Sequence, residues 1–161
     1  MGLFSRKKTE EHYIINACYN GDIDYVRKYI SCGKDINVSE RSNSPLLAAI
    51  SQHQVEIVEL LMNNGADVNF NPDDSFTVLG WAVDCANYQT FSEKEKHREA
   101  PTEIIELLLK YGADINLKDR HGSTHLEFAK HLKTKSGTVP RNIIDLLEKT
   151  IRHYSHSIFT S

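Results

Sequence analysis

Histidines, cysteines and carboxylates are the side chains of this 161-residue chain that could carry chemistry, and their spacing is the first thing to weigh. His121 and His125 are four residues apart and His131 follows, a set that could hold a metal ion if the rings met on one helical face. His121 falls at a predicted turn tip and His125 at the opening of a helix, so the interval crosses a boundary and the two rings do not share a face. Cys85 and His97 have the residue types of a nucleophile and its base, yet no neighbouring pattern orients them. Asp73-Asp74 stand side by side on a predicted turn, where carboxylates are solvated instead of being held for general acid and base work. Neither a Gly-rich phosphate loop nor a Gly-x-Ser-x-Gly elbow occurs. The expectation is therefore a protein that is not an enzyme and uses no metal and no cofactor. A metal-binding or enzymatic protein built on the His121, His125 and His131 region is the competing class.

Composition narrows the field further. With 40 % hydrophobic and 25 % charged residues the chain reads as one ordinary globular domain. A net charge of −3 and a pI near 6.2 lack the basic stripe of a duplex nucleic-acid binder, so no nucleic acid is expected as a partner. No segment is apolar enough to span a membrane or to serve as a secretion signal, which predicts a cytoplasmic protein with no membrane association; a monomer is expected. The start Met1-Gly2-Leu3-Phe4-Ser5-Arg6 misses the myristoylation pattern at Arg6, where Ser or Thr is required. Cys18, Cys32 and Cys85 are an odd number without zinc spacing and are expected to be buried, reduced thiols.

The elements that would position any site announce themselves by repetition. Asp-x-Asn occurs as Asp35-Ile36-Asn37, Asp67-Val68-Asn69 and Asp114-Ile115-Asn116, each with a Gly two residues before the Asp. Asn37 and Asn69 are 32 residues apart, and Asn69 and Asn116 are 47 apart, close to a unit of about 33 with a 14-residue insertion in the second interval. Upstream of Asn69 run Ser44-Pro45-Leu46-Leu47-Ala48-Ala49 and then Val55 to Asp67; upstream of Asn116 run Thr77-Val78-Leu79-Gly80-Trp81-Ala82 and then Glu103 to Asp114. In the second of these helices Ile57, Val58 and Leu61 form an apolar stripe that needs a neighbour to cover it. Ala48, Ala49, Ala82 and Ala129 mark close helix approach, Gly33, Gly65 and Gly112 mark helix ends, and Ser44-Pro45 marks a helix start.

These residues resemble the ankyrin repeat family, whose consensus places Thr-Pro-Leu-His-x-Ala on a first helix and Val-Val-x-x-Leu-Leu-x-x-Gly-Ala on a second. The resemblance implies an all-α solenoid of about four helix-turn-helix repeats with β-turn or hairpin connections. The expected frame is a flexible N-terminus over 1–9, repeats at about 10–38, 39–71, 72–118 with an insert at 86–100, and 119–150 with a short insert at 133–139, and a fraying tail over 154–161. Thr-Pro-Leu-His is intact nowhere, because Leu47, Gly80 and Glu127 replace its His and Pro survives only as Pro45. That departure predicts a weakened hydrogen-bond network on the first helices and modest stability.

For function the resemblance implies a partner protein bound through a concave groove and the turn tips. Carried over residue by residue, the tips are Glu40 and Arg41, Asp73 and Asp74, and Arg120 and His121. The groove positions are Tyr19 and Asn20, Ser51 and Gln52, Asp84, and His131. Phe76 is expected as an exposed aromatic anchor or as packing for a turn, and Trp81 as core. Within the insert, Tyr88 and Phe91 are candidates for an individual contact surface, with a plain charged loop as the alternative reading. Neutralisation of a toxin or enzyme, by analogy with bacterial ankyrin-like immunity proteins, is the sharper version of the binding role, and a scaffold for several partners is another.

Overall fold

The computed structural model describes the backbone of residues 2–71, 77–89, 101–132 and 141–158, and the side chains of 10–71, 77–87, 101–132 and 141–153. Within these residues the chain forms α1 (Gly2–Asn20), α2 (Ile23–Ser31), α3 (Pro45–Ser51), α4 (Val55–Asn63), α5 (Val78–Gln89), α6 (Glu103–Lys110), α7 (His125–His131) and α8 (Arg141–Ile158), with no strand.

Local chemistry accounts for where the helices start and stop. Ser44 caps α3 by accepting the Leu47 N–H, and Pro45 occupies the first turn, where its missing N–H is of no consequence. Asp22 caps α2 through the Tyr25 N–H, and Thr124 with Glu127 forms a reciprocal capping box on α7. After α4 and α6 the chain turns at Gly65 (φ 86°) and Gly112 (φ 88°), a left-handed conformation that a side chain would strain.

The odd-numbered helices pack in a row, α1 on α3, α3 on α5 and α5 on α7, while α2 packs on α4 and α4 on α6 in a second row. Each odd helix also packs on the even helix that follows it. Four helix-turn-helix units therefore stack into two layers, as the repeat spacing predicts. The core lies between the layers: Ile14, Ala49, Val78, Val83 and Ala129 from the first helices meet Val26, Val58, Leu61, Ile105, Leu108, Ile143 and Leu147 from the second, all buried. One unit could not close such a core, because its stripe is covered by the next unit.

The Asp-x-Asn anchors bind unit to unit. Asn37 donates from Nδ2 to the Gly65 carbonyl (3.0 Å) and accepts the Asp67 N–H at Oδ1 (2.8 Å). Asn69 repeats the clamp one unit on, with the Gly112 carbonyl at 3.5 Å and the Asp114 N–H at 2.9 Å. Asp35, Asp67 and Asp114 each accept the N–H of the Asn two residues later, at 2.8 to 2.9 Å, which holds the loop in the shape the clamp needs.

Several boundaries differ from the sequence reading. Helix α1 begins at Gly2 and takes in the segment expected to be a flexible N-terminus, since extending a helix already nucleated by its packed residues 10–20 is cheap. Helix α8 likewise runs to Ile158, through most of the expected tail. Helix α5 continues to Gln89, into the expected insert, and its Ala86 and Asn87 are buried. The remainder of that insert, and the short one at 133–139, lie outside the described residues.

Candidate functional site

The first helices leave the same positions open in each unit. Ser51, Asp84 and His131 each stand seven residues after the residue that opens their helix, Ser44, Thr77 and Thr124. Tyr19 stands three residues before the α2 cap Asp22, as Ser51 stands three before the α4 cap Gln54. Together they form one row across the layer of odd helices, with the core behind them. Tyr19 is 47 % exposed, Asn20, Gln52 and His131 are exposed, and Ser51 and Asp84 are half-buried. The Ser51 hydroxyl donates to the Ala48 carbonyl (2.8 Å), and His131 Nδ1 is held on the Glu127 carbonyl (2.7 Å). Burial raises the Asp84 carboxyl above the ordinary aspartate range.

Two tips are described. Between the first and second units Glu40 and Asn43 exchange backbone hydrogen bonds (2.9 and 3.0 Å) around Arg41 and Ser42, both at positive φ (50° and 63°). This two-residue hairpin normally takes Asn or Gly, so Arg41 and Ser42 hold a strained conformation at the surface. Glu40 is not a free tip residue, since His12 of α1 lies 3.0 Å from its carboxylate and its side chain is only 19 % exposed. In the fourth unit Lys118 pairs with Thr124, and Asp119 accepts the Ser123 and His121 N–H groups, which lowers its pKa. Arg120 and His121 are exposed, and Arg120 Nε donates to His121 Nε2 (3.3 Å). Asp73, Asp74, Phe76 and Phe91 lie outside the described residues, as does the side chain of Tyr88 in the last turn of α5.

His121, His125 and His131 do not gather into a metal site. His125 is buried and spends both ring nitrogens inside the fold: Nδ1 donates to the Ile115 carbonyl (3.1 Å), and Nε2 accepts from the Thr77 hydroxyl (2.5 Å). Thr77 Oγ1 in turn accepts the Gly80 N–H (3.0 Å), so one hydroxyl both caps α5 and joins the third unit to the fourth. A carbonyl can only accept, which assigns the proton to Nδ1 and leaves Nε2 as the acceptor. Burial lowers the pKa of His125, favouring this neutral ring. The first-helix network expected to be weakened is therefore present at this junction, built by a His at the consensus Pro position. No group of three or more His, Cys, Asp or Glu side chains with metal-binding geometry occurs among the described residues.

The comparisons agree with the geometry. Residues 14–119, about two thirds of the chain, match the family model described as ankyrin repeats, three copies. This chain belongs to the ankyrin repeat family. Ankyrin repeats generally mediate protein–protein interaction. The chain is 35 % identical over 60 residues to the human 2-5A-dependent ribonuclease, a match covering 36 % of this chain and 8 % of that protein. It is 32 % identical over 75 residues to an ankyrin repeat protein of fowlpox virus (strain NVSL), covering 45 % of this chain and 10 % of the other. The ankyrin chain thus aligns with a tenth or less of the length of either relative.

Other placements depart from expectation. Trp81 is only partly buried: it packs against the core from α5 at the position four residues after Thr77, which Ala48 fills buried and Phe128 fills partly buried in their own units. Cys18 is buried, but Cys85 is half-buried and Cys32, the residue that follows α2, is exposed. Tyr13, 57 % exposed and not singled out from the sequence, is a second exposed aromatic of α1, on the side of Asn20. Its signal was the interval from Tyr13 to Asn20, two helical turns, hidden because the first unit lacks the consensus motif. No helix among the described residues is long and apolar enough to cross a membrane.

Proposed function

We propose that this ankyrin chain binds a partner protein across the row Tyr19, Ser51, Asp84 and His131, with the Arg41 and Arg120–His121 tips at its rim. The observation that carries the reading is the row itself: one equivalent position per unit, none fully buried, on helices whose opposite sides are packed into the core. Such a surface is held rigid by the Asn37 and Asn69 clamps and by the His125–Thr77 junction. A rigid surface loses little conformational entropy on docking, so contacts convert into affinity. Exposed Tyr13 and Tyr19 supply the kind of aromatic area that carries binding energy in protein interfaces.

A photo-crosslinking amino acid placed at Gln52, at His131 or at Glu59 tests this in cells of the native source. Glu59 is exposed on α4, in the other layer. The same partner captured from positions 52 and 131, and not from 59, supports the groove. Capture through position 59 and not through 52 or 131 sinks it.

A further inference from the structure

The middle of the row carries a charge its neighbours do not. Where the other units have Tyr19, Ser51 and His131, the third has Asp84, the acidic member of the row. Asp84 is half-buried, and among the described residues it makes no hydrogen bond and no ion pair. Burial raises its pKa, and that of Cys85 beside it is raised first by burial and then by the Asp84 charge. The basic residues of the facing helix α7 are otherwise engaged: Lys130 Nζ sits on Glu148 (2.8 Å), and His131 is turned to the Glu127 carbonyl. A carboxylate deprived of water without a partner is unfavourable, and a group kept that way at an open surface is set for a ligand of opposite charge.

The surroundings specify that ligand further. Trp81 lies one turn before Asp84, at i−3, and so on the same side of α5. The Thr77–His125 bond joins α5 and α7 at their first turns, and Phe128 stands in α7 where Trp81 stands in α5, each four residues after the Thr that opens its helix. Both aromatics pack against the core and are partly exposed. An acidic group beside aromatic rings suits a cationic side chain with an apolar stem: the carboxylate meets the charge, and the rings take the guanidinium plane or ammonium and the methylenes.

We propose that Asp84, with Trp81 one turn before it and Phe128 at the equivalent position of the neighbouring helix, seats an arginine or lysine side chain of the partner protein. This deepens the groove reading and rests on it. Panning a phage-displayed random-peptide library on the immobilised full chain tests it. Enriched peptides carry Arg or Lys, and a synthetic copy binds Asp84→Asn about tenfold or more weakly than the parent, the scale of a lost charge-assisted hydrogen bond. Binding to Glu59→Gln is unchanged, and Asp84→Asn melts no lower than the parent, because the variant loses a half-buried charge. Peptides that are lost with Tyr19→Ala and Gln52→Ala but bind Asp84→Asn as well as the parent overturn the Asp84 seat and leave the groove standing. Peptides indifferent to all three substitutions overturn the groove as well. Failure to enrich basic peptides overturns the seat, as does an Asp84→Asn protein that melts lower than the parent, which would reveal an internal partner for the carboxylate.

Discussion

Thr77 is the residue whose loss should report most sharply on how the third and fourth units are joined. It is 3 % exposed and His125 is 4 % exposed, so the hydroxyl that caps α5 and donates to the ring has no water to replace it. Thr77→Val keeps the shape and removes the hydroxyl. The Gly80 N–H then loses its cap, and His125 Nε2 is left a buried acceptor without a donor. Losing a cap costs about 1 kcal/mol, and an unsatisfied buried acceptor costs about 1–3 kcal/mol, so the expected loss is about 2–4 kcal/mol. Thr77→Ser retains the hydroxyl and removes one methyl, about 1 kcal/mol. Urea denaturation followed by circular dichroism at pH 7.5, where His125 is neutral, separates the two variants. If Thr77→Val is no less stable than Thr77→Ser, the bridging role assigned to the hydroxyl is wrong.

Three further outcomes are expected of the same fold. Asn37→Ala removes two bonds to the next unit and should cost about 1–2 kcal/mol, whereas Asn116, which makes no such clamp among the described residues, should tolerate Ala within about 0.5 kcal/mol in the same denaturation assay. Because the pKa of His125 is lowered in the folded state, the unfolded chain binds the extra proton first; stability is full above about pH 6.5 and falls as pH drops below it, and His125→Leu should lose that part of the slope in melts from pH 7.5 to 5. Cys18 and Cys85 are pushed up to about 12, so brief iodoacetamide treatment at pH 8 should alkylate Cys32 alone in the folded chain and all three cysteines in urea, as read by peptide mass spectrometry.

How much of this was legible beforehand varies with the range of the interaction. Ser44-Pro45, Gly65, Gly112 and the stripe Ile57, Val58 and Leu61 are local signals, and each appears in the structure as written: a cap, two left-handed turns and a buried face. The Asp-x-Asn triplet was legible as a repeat but not as a clamp, because the partners of Asn37 are a carbonyl and an N–H about 30 residues away. His125 was misjudged for the same reason. At a consensus Pro position it looks like a departure that weakens the first helices, and only the placement of Thr77 from the preceding unit makes it a buried, doubly bonded ring. The groove row could be listed from the repeat frame, whereas the half-burial of Asp84 could not.

By itself, then, the sequence determined the unit: its two helices, its caps, its glycine turns and the period at which it recurs, all of which depend on residues a few positions apart. The tertiary structure decided what the units do to one another. It turned Asn37 and Asn69 into clamps, His125 and Thr77 into a junction, and Tyr19, Ser51, Asp84 and His131 into one surface. Those roles depend on groups brought together across tens of residues, where periodicity carries no information and only packing sets the distance.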